Sequence, residues 1–360
     1  MSDLSNLRKS VLVYRLGSLG DTLLALPMFH AIRRRYPSRR IVALTNIPVN
    51  TKAPALLTVL DKTGLIDDAI NYPLGLRNLD ELLRLRGEIA SGNFDVAVNL
   101  TAARGWWKGV RDRLFLHSCG IPNVVGTPWR RSDLVRARNP ETGLFEWETE
   151  RLARRVRCLG PIDLAAPDNW SLNLQPEELA EADRVLHRGN IVGPFLALSV
   201  GTKVDVKDWT EPNWSALILE LSSRFPHLPV VAFGSDEESQ RTEKCLEPWK
   251  APKLNLCGAM SLRILAAILR RAKLFIGHDS GPMHLAATVE VPCVAIFAAR
   301  NLPGQWYPRG YRNTVLYNQT ACYGCELEVC SVYDKMCIRG IAVSEVVNAS
   351  VNYLRVAGQT

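Results

Sequence analysis

Short β-branched runs alternate along this chain with longer segments whose apolar residues recur at helical spacing. In the first half the runs are SVLVYRL (10–16), RIVALTN (40–46), AINYPL (69–74), FDVAVNL (94–100) and NVVGT (123–127). Amphipathic stretches separate them at about 21–36, 78–91 and 105–118. Strands that alternate with helices build a parallel sheet through right-handed crossovers. The first run is apolar at nearly every position, which suits a strand covered on both faces. The pattern pauses at GPIDLAAPDNWSLNLQPEELA (160–180), rich in Pro, Asp and Asn. It resumes with FLALSVG (195–201), LPVVAFG (228–234), KLNLCG (253–258), KLFIGH (273–278) and PCVAIFA (292–298), with helical segments at 211–224, 236–247, 261–271 and 281–289. The spacing predicts an α/β protein of two doubly wound domains, over 1–180 and 193–341, with a closing helix at 343–357.

Ligands of doubly wound sheets bind outside the carboxyl ends of the strands, in the cleft that two such sheets create. The strand-end loops therefore carry the candidate chemistry. RLGSLGDTLLALP (15–27) leaves the first strand through a turn containing Gly17, Ser18 and Gly20, then places one acid, Asp21, at the head of an apolar helix. Two readings stand: Asp21 caps the helix, or the glycines clear space for a substrate on which Asp21 acts. GSLGD departs from the G-x-G-x-x-G fingerprint and no acid ends the second strand, so a dinucleotide is not implied.

In the second half, FIGHDSGPMHLAATVEVPCVAIF (275–297) runs from a strand through His278, Asp279, Ser280, Gly281 and Pro282 into a helix. Pro282 fits the first turn, and Ser280 or Asp279 fits the cap. Free N–H groups at such a start suit a diphosphate, although a capped helix without a ligand has the same pattern. SVGTKVDVKDWTEPNW (199–214) supplies Thr202, Lys203 and Lys207 at another strand end. That set suits phosphate, or simply faces water. AFGSDEESQ (232–240) sets Asp236, Glu237 and Glu238 past a strand, where an acid either bonds a ribose hydroxyl or caps a helix.

A chain of 360 residues, 47% hydrophobic and 22% charged, is that of a globular protein with room for two domains. No apolar stretch reaches bilayer length, and the N-terminal run is too short for a signal peptide, so we expect a cytoplasmic protein. The formal charge of +8 points to anionic partners. Arginines cluster at 33–40, 129–138 and 151–157; each cluster alone reads as solvated basic surface, and together they suit a phosphate-rich or membrane-surface acceptor. No aromatic-interleaved RNA-binding signature accompanies them, so nucleic acid is not expected. Of nine cysteines, five are scattered in apolar contexts as reduced thiols. Cys322, Cys325, Cys330 and Cys337 form a Cys-x2-Cys-x4-Cys-x6-Cys group that meets the ligand count for structural Zn or Fe and equally suits packing.

RLGSLGDTLLALPMFHAIRRRYP together with FIGHDSGPMHLAATVEVPCVAIF resembles the bacterial heptosyltransferases of glycosyltransferase family 9. The resemblance implies the GT-B fold, with two Rossmann-like domains facing across a cleft. It implies transfer of heptose from ADP-heptose, mostly to lipopolysaccharide inner core, with the acceptor on the N-terminal side and the nucleotide sugar on the C-terminal side. Carried over by position, it puts the general base on Asp21 and the diphosphate-binding lysine on Lys207. The phosphate-binding helix start falls on Asp279, Ser280 and Gly281, with His284 on the next turn, and the ribose-binding acid on Glu237 or Glu238. Two positions depart from the family: it usually has Asn where His278 stands, and a Thr-Asp-Pro turn where this chain reads AARNLPGQWYP. No Asp-x-Asp motif ends a strand, so no catalytic metal is expected, and contact with the inner face of the cytoplasmic membrane follows from a lipid-linked acceptor. Two alternatives stay open: a sugar-nucleotide epimerase of the same fold, and a non-enzymatic, metal-stabilised protein that binds glycan or nucleic acid.

Overall fold

A computed structural model describes residues 9–46, 56–73, 75, 78–102, 105–128 and 130–355. Leu74, Trp129 and residues 356–357, which the expected elements and clusters include, lie outside that set. The chain forms two compact units, one of 1–140 with 146–173 and one of 141–145 with 174–360.

The first unit is built on five parallel strands in the order β3-β2-β1-β4-β5. These are β1 (Ser10–Tyr14), β2 (Ile41–Thr45), β3 (Asp68–Asn71), β4 (Phe94–Asn99) and β5 (Asn123–Val125). All residues of β1 and β2 are buried, as the unbroken apolar runs require. Where the pattern predicts one helix over 21–36 there are two, α1 (Leu19–Leu24) and α2 (Leu26–Arg35). The break falls at Ala25 because Pro27 has no N–H to offer the carbonyl of Leu23. Next come α3 (Leu56–Leu60), α4 (Leu79–Ser91), α5 (Trp106–Ser118), α6 (Arg131–Leu134) and α7 (Glu148–Arg155), of which α3, α6 and α7 lie outside the predicted segments. Leu85 and Ile89 of α4 and Leu116 of α5 pack in one core with Leu12, Tyr14, Val42 and Leu44 of the sheet.

The second unit opens with α8 (Pro176–Arg188), which the sequence divides between the first domain and the junction. It counts with the second unit for a physical reason. Arg263 of α11 (Leu262–Leu269) is nearly buried and meets Glu178 of α8 at 2.6 Å. The six parallel strands run in the order β11-β10-β9-β6-β7-β8. They are β6 (Phe195–Ser199), β7 (Val230–Ala232), β8 (Lys253–Asn255), β9 (Ala272–His278), β10 (Cys293–Phe297) and β11 (Asn313–Tyr317). Interleaved with them are α9 (Glu211–Arg224), α10 (Ser239–Leu246), α12 (Gly281–Thr288), α13 (Met336–Arg339) and α14 (Val343–Arg355). Strand β11 escapes the sequence pattern because it is a half-buried edge, with no helix between it and β10. Trp209, Trp214, Leu217 and Ile218 share a core with Val346, Val347 and Val351 of α14, which fixes the last helix to the sheet.

Each sheet has one topological switch point, where strand order reverses and ligands bind in open α/β folds. In the first unit it lies between β1 and β4, and in the second between β6 and β9.

Candidate active site

The loop after β1 holds Asp21, and the helix start explains how. Helix α1 begins at Leu19, so Ser18 is the N-cap residue and Asp21 sits three places on, not at the cap itself. Its Oδ2 accepts from the Ser18 N–H and the Ser18 hydroxyl, both at 2.8 Å. That is a capping box with Asp in the place usually taken by Glu. Gly20, expected in the turn, is instead buried within the first turn of α1. Gly17 is the turn glycine. Its φ is +138°, and a Cβ there would lie 2.6 Å from Asp21 Cγ, so only glycine lets the carboxylate lie across the backbone.

Arg15 is the residue the sequence reading passed over. It ends the apolar run, yet its side chain is 1% exposed. It donates to the Leu100 carbonyl after β4, to the Asp21 carbonyl, and to Asp21 Oδ1 at 3.4 Å. One guanidinium therefore ties together the two strand-end loops that flank the switch point. Burial lowers its pKa, and Asp21 and Glu148 oppose that.

Behind Arg15 lies a buried charge cluster that corrects the solvated-surface reading of 151–157. Arg151 and Glu148 are both 0% exposed and meet at 2.6 Å; Arg136 also donates to Glu148. Burial would raise the Glu148 pKa, but Arg151, then Arg136 and Arg15, hold it down at about 2. Arg155 bonds the carbonyls of Gly126 and Thr101, each at 2.7 Å, and of Asn99 at 3.2 Å. Burial first, and Arg151 next, push its pKa down to about 9. The side chains turn inward because Arg151 and Arg155 share a helical face with Leu152 and Val156, an i, i+4 pattern that the run of arginines disguises. Arg15 Nε and Arg151 Nη1 are buried without a hydrogen-bond partner among the described residues.

At the second switch point, the loops after β6 and β9 are stitched together. Lys207 closes a short 3-10 turn and donates to Asp279 Oδ2 at 2.6 Å and to the Asp279 carbonyl at 3.0 Å. His284 Nε2 lies 3.8 Å from the other carboxylate oxygen, and Asn301, from the departing AARNLPGQWYP turn, donates to Oδ2 at 3.3 Å. Burial works to raise the Asp279 pKa; Lys207, followed by His284, reverses this and holds the carboxyl well below the usual range. The buried Asp279 carboxylate thus holds Lys207 by an ion pair and lies close to His284.

Ser280 is the N-cap residue of α12 and Pro282 stands in its first turn, yet the Ser280 side chain makes no capping bond. Ser280 Oγ and His284 Nδ1 are buried and have no hydrogen-bond partner among the described residues. The first-turn N–H groups of a helix likewise lack an acceptor within it. Gly281 completes this start.

His278 supports the same loops without being a ligand. Its Nδ1 bonds the Gly201 carbonyl at 3.0 Å, while Nε2 accepts from the Trp209 N–H at 3.1 Å and the Trp214 indole at 3.4 Å. Those partners assign the proton to Nδ1 and make the ring neutral. Burial drives its pKa down to about 4. Thr202 caps its own loop, accepting from the Val204 N–H at 3.4 Å.

The two candidate ribose acids are separated by exposure. Glu237 faces water, whereas Glu238 is half-buried, accepts from the Ser235 N–H at 2.7 Å and lies against the loop after β6. A Cβ on Gly201 would come within 2.2 Å of Glu238 Oε1. Burial raises the Glu238 pKa.

Among the described residues no group of three or more His, Cys, Asp or Glu is arranged to hold a metal, although Cys322 and Cys330 act electrostatically on Cys337. Cys325 is exposed, Cys322 and Cys330 are intermediate, and Cys337 is buried on α13.

The family model of glycosyltransferase family 9 (heptosyltransferase) matches residues 132–335. Lipopolysaccharide heptosyltransferase 3 of Escherichia coli is 23% identical over 293 residues, 78% of this chain and 81% of that protein. Lipopolysaccharide heptosyltransferase 1 of Pseudomonas aeruginosa is 25% identical over 89% of this chain and 87% of its own length. Among solved structures, a family 9 glycosyl transferase from Veillonella parvula superposes with a TM-score of 0.76 at 19% identity, covering 97% of this chain and 98% of the other. E. coli ADP-heptose lps heptosyltransferase II gives 0.65 at 18% identity, covering 96% and 98%. The iron-containing dodecameric glycosyltransferase TibC of enterotoxigenic E. coli gives 0.54 at 16% identity, covering 97% and 77%. The fold is GT-B, two Rossmann-like domains.

Proposed function

This chain belongs to glycosyltransferase family 9, and from that premise we propose an inverting, cytoplasmic heptosyltransferase that uses ADP-L-glycero-D-manno-heptose. Its acceptor is a hydroxyl of an anionic, lipid-linked saccharide such as lipopolysaccharide inner core. The observation that carries the reading is the set at the second switch point. Lys207 stands beside the start of α12, where Ser280 Oγ and His284 Nδ1 are buried and still have hydrogen bonds to make. Those groups, Thr202 and the N–H groups at Gly281 suit a diphosphate. Pro282 fixes the backbone there and offers no N–H. Glu238, half-buried against Gly201, is the better of the two ribose acids.

In the proposed step the acceptor oxygen bonds to the anomeric carbon as the bond to the diphosphate breaks. ADP leaves with the electron pair, and the acceptor proton passes to Asp21. Lys207 and the α12 start stabilise the charge that grows on the leaving group, which is where preorganised donors contribute most. Asp279 holds Lys207 in place, and Ser18 and Arg15 hold Asp21. No step of this reading passes through a metal.

The test is the Asp21→Asn protein. Asn still accepts from the Ser18 N–H, so the protein folds and ADP raises its melting temperature as in the wild type, by more than UDP does. Turnover on acceptor falls by roughly 10²- to 10⁴-fold, the usual worth of a positioned base. ADP is released only when acceptor is present, which separates transfer from epimerisation. Near wild-type transfer by Asp21→Asn removes Asp21 as the base, and a larger shift with UDP overturns the donor.

A further inference from the structure

Helix α5 leaves an apolar and cationic face in water. Trp106 is 44% exposed and Trp107 76%, and their rings meet edge-on at 4.4 Å. Leu114 is 62% exposed, and positions 107, 111 and 114 follow i, i+4, i+7 along one side of the helix. Arg111 lies on that side, leaning on the nearly buried Asp112 at 2.7 Å, and Lys108, next to Trp107 in the chain, is also exposed. Helix α4 packs in the same core, its Arg86 donating to the Ser118 carbonyl at the end of α5. It adds Leu79 and Leu83, 67% and 52% exposed, beside Asp80, Arg84 and Glu88.

Tryptophan is mostly buried in globular proteins, and the indole, apolar with one polar edge, is favoured at a lipid headgroup boundary. Cations beside it add attraction to anionic headgroups. The distribution of charge agrees. The first unit holds 25 Lys and Arg against 16 Asp and Glu, whereas the second holds 19 against 20. The whole positive excess of the chain therefore sits in the unit that carries α5.

We propose that the α5 face, led by Trp106 and Trp107, docks this protein on the surface of an anionic lipid bilayer. The inference rests on the reading of the acceptor as lipid-linked, because docking then brings the unit that bears Asp21 to the depth of the acceptor saccharide.

Co-sedimentation with vesicles tests it. The wild type partitions onto phosphatidylcholine vesicles containing phosphatidylglycerol and much less onto phosphatidylcholine alone. A Trp106→Ser, Trp107→Ser protein loses roughly tenfold or more of that partitioning, since two large apolar surfaces no longer leave water. Lys108→Glu lowers it independently. Both variants keep the ADP-induced thermal shift and wild-type turnover on delipidated acceptor, which reports folding and the transfer reaction separately from docking. Absence of wild-type binding to the phosphatidylglycerol vesicles, or equal binding by the double-tryptophan protein, overturns the proposal. Loss of ADP binding or transfer in the wild type would instead strike the proposed function and leave the vesicle result standing.

Discussion

His278 stands one residue before Asp279, in the stretch proposed to hold the nucleotide, and is nonetheless a support. Its ring is saturated by Gly201, Trp209 and Trp214 and has no lone pair left for a ligand. Because the folded pKa is near 4 and the ordinary value is 6.5, the ring is neutral in both folded and unfolded chains above pH 6.5. As pH falls from there towards 4, the unfolded chain takes up a proton that the folded one refuses, so the fold loses stability across that window. His278→Asn, the residue usual at this position in the family, removes that loss. Thermal unfolding at pH 7 and pH 5 should show a smaller fall in melting temperature for His278→Asn than for the wild type; equal falls would mean that His278 does not titrate in this way. The sequence placed Asp21, Lys207, Ser280 and His284 at strand ends because their neighbours in the chain form recognisable turns. It could not show that Arg15 reaches both Leu100 and Asp21, or that Lys207 is gripped by Asp279, since those partners are distant in sequence and their chemistry has no local spacing.

At the scale of elements, apolar periodicity revealed most strands and long helices, and it failed where charge does the packing. Helix α7 reads as a surface run of arginines, yet Glu148, Arg151 and Arg155 are its inward side. Such a helix has little hydrophobic signal to betray it. Removing Glu148 would leave Arg151, Arg136 and Arg15 with too little negative charge, and breaking a buried pair in this way costs about 3–5 kcal/mol. Glu148→Gln should therefore melt well below the wild type at pH 7. The acid limb supplies a second, independent readout. A carboxyl held at about 2, against an ordinary 4.5, contributes stability that is complete above pH 4.5 and is lost as pH falls through 2. Stability plotted between those limits should fall less steeply for Glu148→Gln; parallel curves would show that the cluster does not depend on this ionisation. The α1–α2 break and the position of Asp21 within a capping box belong to the same scale. Both were latent in Pro27 and in the Ser-x-x-Asp spacing at 18–21, but fixing where α1 starts required the packed structure.

Across the whole molecule, an even-looking charge of +8 resolves into a strongly basic first unit and a nearly neutral second one. Among the described residues no helix is long and apolar enough to cross a membrane. Exposed charges are screened beyond about 10 Å at 0.1 M salt, whereas buried pairs are screened far less. The cations offered by the first unit at positions such as Arg35 and Arg84 are exposed, but Lys207 is 14% exposed and clasped by a buried Asp279. Salt should therefore separate the two substrates. On a delipidated anionic acceptor, where bilayer docking plays no part, raising salt from roughly 0.05 to 0.5 M should increase the acceptor KM several-fold with kcat nearly unchanged. The thermal shift produced by ADP should move much less over the same range. An acceptor KM indifferent to salt would mean that the basic excess of the first unit serves something other than capture of the acceptor. A strong loss of ADP binding would place the nucleotide among exposed charges rather than at the Lys207–Asp279 pair.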